Sequence, residues 1–213
     1  MKTTFKGIAA VCFLSGVASA AVLVPTSNFT GSPVANPAVG SPLLTDATGT
    51  TGLTTRVFAG SFLSGTPDFL VTSDADIISA FTANGAGAAF TAPGLINTDG
   101  FGAGTSTDGS DSFTGNLVYL LVGNAATLGA STEVMVFSTG QSWAVEVEGV
   151  GGALSPITLS SANLERGIVV SPNLAAPFAG FNGNEGLTFG VVPEPSIALL
   201  GALGILGLLR RRR

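Results

Sequence analysis

The chain has 213 residues, with eight basic and thirteen acidic side chains, no histidine and one cysteine, for a net charge of −5. Six of the basic residues lie in the first six and last four positions, and every acidic residue except Glu194 lies within 21–192. This middle part therefore carries two arginines and twelve carboxylates, for a net charge of −10. Such a charge excludes nucleic-acid binding, which relies on clustered basic side chains. Residues 21–192 contain no His, Cys or Lys. The absence of these side chains excludes catalytic triads, the usual zinc sites, Schiff bases and P-loops from this part of the chain.

The first predicted element is a secretory signal peptide over residues 1–20. Two lysines among the first six residues are followed by the uncharged, mostly apolar stretch 7–17 and by Ala-Ser-Ala at 18–20. This three-part pattern predicts export with cleavage after Ala20, and Ala18 and Ala20 are the cleavage-site residues. Cys12 lies in the removed segment, so we expect no disulfide in the exported chain.

Residues 21–190 are predicted to form one exported β domain. Its first third contains a strand at 22–24 and then loops rich in Pro, Gly, Ser and Thr. Further strands are predicted at 54–58 and 69–72. The segment SDAD before IISAFTA predicts a short helix that is capped by Ser73 or Asp74 and ends near Gly85. The Gly-, Asp- and Ser-rich residues 92–111 are predicted to form a long loop.

The second half of the domain carries the strongest strand signals. The run NLVYLLV at 116–122 is continuously apolar, as in a strand buried on both faces or in a sandwich core. Strands at 132–137 and 142–147 are predicted to form a hairpin through residues 138–141. The remaining predicted strands are 157–159, 167–170 and 187–192. This pattern predicts a mainly β protein, an antiparallel, jelly-roll-like β-sandwich with one short helix, between an N-terminal signal helix and a C-terminal transmembrane helix.

Few side chains in this domain are candidates for chemistry. The predicted loop contains possible oxygen ligands for calcium: Asn97, Asp99, Asp108 and Asp111. They lack the EF-hand pattern, and Asp and Gly are ordinary turn residues, so we expect no metal and no cofactor.

Two carboxylate pairs meet the minimal requirement of a glycosidase: Asp74 with Asp76, and Glu146 with Glu148. We favour a solvated strand face for the second pair.

Aromatic side chains are the usual platform of sugar-binding sites. Between residues 21 and 192 the chain has a single tryptophan, Trp143, and a single tyrosine, Tyr119. Both lie in predicted strands, where packing in the core explains them. We therefore predict that they are core residues.

The last predicted element, residues 191–213, is a membrane anchor. Residues 197–209 contain no charge, and a helix of this length covers about 20 Å of a hydrocarbon core of about 30 Å. Arginine side chains at its end can snorkel to the interface, and they predict a cytoplasmic C-terminus. We expect a membrane helix at 196–209, stopped by Arg210, Arg211, Arg212 and Arg213.

The motif VPEPS at 192–196 precedes this helix. Pro193 and Pro195 prevent the helix from extending upstream, and Glu194 lies at the positive end of the helix dipole. The motif is therefore a stiff, extended, negatively charged segment at the outer membrane face.

VPEPS, a Gly/Leu/Ala-rich helix and an arginine cluster, in this order, resemble the PEP-CTERM sorting signal of Gram-negative bacteria. The resemblance covers residues 192–213 alone. It implies that Pro193, Glu194 and Pro195 are recognised by a membrane-embedded exosortase, and that the protein is associated with exopolysaccharide and biofilm matrix.

We therefore predict an exported, non-enzymatic structural protein, first anchored in the membrane and then placed at the cell surface or in the extracellular matrix. The expected partners are an exosortase-type enzyme, the membrane and exopolysaccharide. Two alternatives remain: a carbohydrate-binding module that acts on exopolysaccharide, and a two-carboxylate glycosidase.

Overall fold

The computed structural model describes residues 21–28, 31–32, 36–37, 41–49, 51–105, 113–143, 154–172 and 178–190. These residues are mainly β, with one α-helix, α1 (Asp74–Ala80). The strands are β1 Ala21–Ser27, β2 Gly31–Ser32, β3 Asn36–Pro37, β4 Leu43–Leu44, β5 Arg56–Ser61, β6 Thr82–Ala83, β7 Ala88–Ala89, β8 Asn97–Thr105, β9 Leu117–Gly123, β10 Val134–Ser142, β11 Ile157–Thr158, β12 Leu164–Arg166, β13 Ile168–Val170 and β14 Gly186–Thr188.

The largest sheet has six strands in the order β12-β10-β9-β5-β6, and β7 also pairs with β5. All of its pairs are antiparallel. β6 and β7 pair with opposite ends of β5, so they act together as one interrupted edge strand. Two three-stranded sheets, β11-β1-β8 and β13-β14-β4, and the ribbon β2-β3 complete the described strands.

Two strand pairs are parallel, β1 with β11 and β4 with β14. The predicted purely antiparallel arrangement is wrong at these pairs. The strands of each pair are far apart in the chain, and long crossovers bring them together in place of the short hairpins that produce antiparallel neighbours.

The six-stranded sheet is apolar on both faces. In β9, Val118, Leu120 and Val122 belong to one buried cluster, whereas Tyr119 and Leu121 belong to another. The alternation follows from the period of two along a strand, and it confirms the prediction of a strand buried on both faces. The first cluster also includes residues of both three-stranded sheets: Val24, Leu44, Ile157 and Leu187.

The second cluster joins the sheet to α1 and to the segment before the helix. Phe62 is its centre, with ring centroids 5.1 Å from Tyr119 and 5.4 Å from both Phe69 and Phe81. Such tilted and edge-on pairs add to the effect of area burial. Ile77 of α1 is fully buried in this cluster, so the helix is fixed on the sheet by its apolar side.

The predicted helix cap is confirmed. The Ser73 hydroxyl accepts a hydrogen bond from the Asp76 backbone N–H at 3.2 Å, which satisfies one of the free donors of the first turn. The helix ends at Ala80, earlier than predicted, because Thr82 and Ala83 leave it to pair with β5.

The predictions for residues 138–141 and 97–105 are wrong. The hairpin at 138–141 is absent, since β10 runs through these residues to Ser142 with an irregularity after Ser138. Gly140, at φ 65°, accommodates a bulge there instead of a chain reversal. Residues 97–105 form β8 and not a loop, because pairing with β1 outweighs their low strand propensity.

The strand predicted at 69–72 is a turn. The Asp68 carboxylate accepts a hydrogen bond from the Leu70 N–H at 3.0 Å, and the Asp68 carbonyl accepts one from the Thr72 N–H at 3.0 Å. These local bonds are typical of aspartate in turns, and they take the place of the hydrogen bonds to a neighbouring strand.

In the part of the chain that the structure describes, no helix has the length and apolarity needed to cross a membrane.

Candidate functional site

The residues predicted to carry sorting lie outside the described residues. This holds for the cleavage site, for the motif and for the arginine cluster: Ala18, Ala20, Pro193, Glu194, Pro195, Arg210, Arg211, Arg212 and Arg213. Their roles remain predictions from the sequence.

The calcium candidates do not form a described site. Asp99 lies in β8, at an irregularity of its pairing with β1, and not in a loop. Asp108 and Asp111 fall outside the described residues. Within the described ranges, no three or more side chains of His, Cys, Asp or Glu come together as a possible metal site.

Asp74 and Asp76, one of the two carboxylate pairs, are both engaged in local structure. Asp76 accepts the Ser73 hydroxyl at 2.6 Å, and Asp74 accepts the Nε–H of Arg166 at 2.5 Å. The bond to Ser73 fixes the start of α1, and the bond to Arg166 fixes the contact of the helix with β12. The other pair, Glu146 and Glu148, lies outside the described residues.

The prediction that Trp143 and Tyr119 are core residues is confirmed. Trp143 is 3% exposed, and its Nε1–H donates to the Ser61 hydroxyl at 2.8 Å. Ser61 in turn donates to the Leu117 carbonyl at 2.6 Å. Tyr119 is 5% exposed, with its hydroxyl 3.2 Å from that of Thr66. Because both rings are buried, neither offers a flat face for stacking on a sugar.

Arg166 is a structural residue that the sequence did not single out. Its side chain is 5% exposed, and besides Asp74 it donates to the backbone carbonyls of Phe69 and Thr72, the latter at 2.9 Å. It thereby joins β12 to the turn before α1. Arg56 donates to the Gly87 carbonyl at 3.0 Å. Both arginines of the domain therefore have internal partners.

A groove lies beside the chain segment that connects two sheets. β12 is an edge strand of the six-stranded sheet, and β13 is an edge strand of a three-stranded sheet. Gly167, at φ 140°, joins them in a conformation that favours glycine. We call the space beside them the edge groove; its volume is about 260 Å³, and its lining includes Phe69, Leu70, Leu164, Glu165, Arg166 and Val169.

A second groove, of about 630 Å³, adjoins the first along β13. Val169 and Ser161 line both grooves, and Val170, Ser171, Asn184 and Glu185 line the second one alone. Leu70 is 45% exposed and Val169 is 48% exposed. Two of the four large exposed apolar side chains of the described residues therefore meet at the edge groove, and the other two are Val71 and Leu117.

A third depression, of about 350 Å³, lies beside β9 and is lined mainly by polar surface. Its walls include Phe62, Leu63, Thr66, Asn116, Leu117 and Tyr119. We call it the Tyr119 pocket. Hydroxyl and amide groups lie along this shallow depression.

The chain matches no protein-family model, no curated protein and no solved structure.

Proposed function

We propose that this protein is an exported, non-enzymatic structural protein of the cell surface or extracellular matrix of a Gram-negative bacterium. It is sorted by a C-terminal signal of the PEP-CTERM type and reaches its destination through an exosortase-type membrane enzyme. The single observation that carries the proposal is the order VPEPS, uncharged helix and four arginines at 192–213.

The physical logic of the tail is a sequence of three parts. The arginines resist transfer across the membrane, so the chain stops with its C-terminus in the cytoplasm. The short helix holds the exported part at the outer face. Pro193, Glu194 and Pro195 then present a stiff charged segment, without regular backbone pairing, that an enzyme in the membrane can bind.

The polar side chains of the β domain support a structural role, because they bind groups inside the domain. Both arginines, the Asp74 and Asp76 carboxylates and the Trp143 N–H bind partners inside the domain. We propose that the domain is a variant of the jelly-roll-like β-sandwich, in which the six-stranded sheet packs on the two three-stranded sheets. The cluster shared by Val24, Leu44, Val122 and Leu187 supports this arrangement.

The sorting proposal is tested by replacing one acidic residue of the motif. In Glu194→Ala, the recognition segment loses its charge, and the protein is expected to accumulate in the membrane fraction. Glu185→Ala is the matched control, because it removes an acidic residue of the β domain outside the motif. Quantitative immunoblots of membrane, surface and medium fractions measure the distribution. An unchanged distribution for Glu194→Ala overturns the proposal.

A carbohydrate-binding module is the second candidate, and the polar Tyr119 pocket favours it. The burial of Trp143 makes it a poor test residue, because its removal damages the core. Thr66→Val removes the hydroxyl that lies 3.2 Å from that of Tyr119 at the pocket and retains a similar volume. Pull-down with the bacterium's own exopolysaccharide is expected to lose the variant if the pocket binds sugar. Equal retention of both proteins excludes the pocket as the binding site.

A further inference from the structure

Two Asn-Gly pairs in the chain differ in their surroundings. Asparagine precedes glycine at Asn84-Gly85 and at Asn182-Gly183. Asn84 is 6% exposed, and its backbone N–H donates to the Ala59 carbonyl at 2.8 Å. Asn182 and Gly183 are both exposed, in the turn before β14. The same dipeptide is therefore buried at its asparagine in one place and open to solvent in the other.

An asparagine that precedes glycine can lose its side-chain amide. The backbone nitrogen of the glycine gives up its proton and attacks Cγ of the asparagine. A new C–N bond forms, the bond from Cγ to Nδ2 breaks, and Nδ2 leaves with the proton as ammonia. Water then opens the succinimide ring at either carbonyl, to give aspartate or isoaspartate. Glycine hinders the attack least, because it has no Cβ.

The surroundings of Gly183 leave room for this reaction. Gly183 has a φ of 97°, and a Cβ at this position would meet nothing within 4 Å. Because Asn182 is exposed, water can replace any partner that its side chain leaves when it turns toward the Gly183 nitrogen. The buried Asn84 can react only after the fold opens locally. We propose that Asn182 is a site of spontaneous deamidation, and that the fold protects Asn84.

The reaction places a new charge at the second groove. Gly183, Asn184 and Glu185 line this groove. Both products carry a carboxylate at position 182, three residues before Glu185, in a part of the chain that already has a net charge of −10. The modified protein is therefore more acidic than the unmodified one. This inference is independent of the sorting tail, because it rests on the β domain alone.

Isoaspartate also changes the main chain of this turn, because it adds one backbone atom after position 182. On one side of the added atom, Phe181 is fully buried, and its carbonyl accepts the Asn184 N–H at 3.0 Å. On the other side, the Glu185 carbonyl accepts the Leu43 N–H at 3.0 Å, which fixes the chain to β4. Since both sides are fixed, the isoaspartate product is expected to be less stable than Asn182→Asp, which has the same charge and an ordinary main chain.

Peptide mass spectrometry of the purified full chain tests the site. The detergent-solubilised protein is incubated in mildly acidic or mildly alkaline buffer and then digested with pepsin at acidic pH, which stops the reaction. In the folded protein, Asn182 is expected to convert at least about tenfold faster than Asn84, whose reaction requires local opening. Alkaline buffer is expected to speed the conversion, because the attacking nitrogen must lose its proton. In urea the two pairs are expected to convert at similar rates.

Asn182→Gln is the matched variant, because attack on its longer side chain must close a larger and less favourable ring. The variant is expected to lose the fast conversion and to leave the behaviour of Asn84 unchanged. Urea denaturation of the separated isoaspartate product is compared with that of Asn182→Asp, and a lower midpoint is expected for the product. A folded protein in which Asn182 stays unmodified, or in which Asn84 converts as fast as Asn182, overturns the proposal. Equal midpoints would contradict the effect on the turn.

Discussion

Arg166 and Asp74 are 92 residues apart in the chain and form an ion pair in which Nε lies 2.5 Å from Oδ1. The arginine is 5% exposed and the aspartate 20% exposed. The same guanidinium binds the carbonyls of Phe69 and Thr72. One side chain of β12 therefore fixes both the start of α1 and the turn before it.

Removal of one partner of this pair is expected to destabilise the fold strongly. Arg166→Ala leaves the carboxylate and two carbonyls without their donor, and we expect a loss of about 3 to 5 kcal/mol in the free energy of unfolding. Asp74→Asn keeps an acceptor at the same place and is expected to cost about 1 to 2 kcal/mol. Urea denaturation measures both. Equal, small losses in the two variants would show that the pair is not a structural anchor.

Asn28 is a second polar anchor in the core. Its side chain is fully buried, donates to the carbonyls of Pro42 and Gly94 at 3.0 and 2.8 Å, and accepts the Ile96 N–H at 2.8 Å. Asn28→Ala leaves these groups unpaired, and we expect a loss of about 2 to 4 kcal/mol. The exposed Ser64→Ala is the control and is expected to change stability by less than about 0.5 kcal/mol. Thermal and urea unfolding of both variants give the comparison, and equal stability of the two contradicts this role.

Trp143 is expected to act on stability and not on sugar binding. Trp143→Ala empties a buried site and is expected to cost about 3 to 5 kcal/mol. Trp143→Phe keeps an aromatic ring but loses the bond to Ser61, at an expected cost of about 1 to 2 kcal/mol. Denaturant titrations and glycan retention are measured on the same samples. A stable Trp143→Phe that loses retention would instead place Trp143 in a binding site.

Gly60 is expected to tolerate no side chain. A Cβ at this position would lie 2.1 Å from the Thr82 carbonyl oxygen and 2.6 Å from the Phe81 ring. Gly60→Ala must therefore displace β6 from β5, and we expect a loss of about 2 to 3 kcal/mol. At Gly129 a Cβ would meet nothing within 4 Å, so Gly129→Ala is the matched control. Similar melting temperatures for the two variants would contradict the close approach of β5 and β6.

The sequence predicted those elements whose evidence is local. The apolar run at β9 indicated a strand buried on both faces, because each of its residues from Val118 to Val122 has an apolar neighbour on its own side. The cap at Ser73 was predictable because a serine three residues before an acidic residue makes a recognisable helix start.

The elements that the sequence missed depend on distant partners. β8 is Gly-rich and becomes a strand only because β1 lies beside it. At residues 138–141, the Thr139 hydroxyl donates to the Val118 carbonyl at 2.7 Å, so the neighbouring strand holds the chain straight where local propensity favoured a turn. The burial of Arg166 requires a carboxylate from another element, and the edge groove requires the ends of two sheets to meet, so neither has a local signature.

We propose above all that the chain is exported and carries a sorting tail. Mass spectrometry of the protein's termini, in cytosolic, membrane, surface and medium fractions, tests it most directly. We expect a mature chain that begins at Ala21 and is found in the membrane fraction or beyond it. A protein that retains residues 1–20 and is recovered dissolved in the cytosol would contradict export and sorting by these two segments.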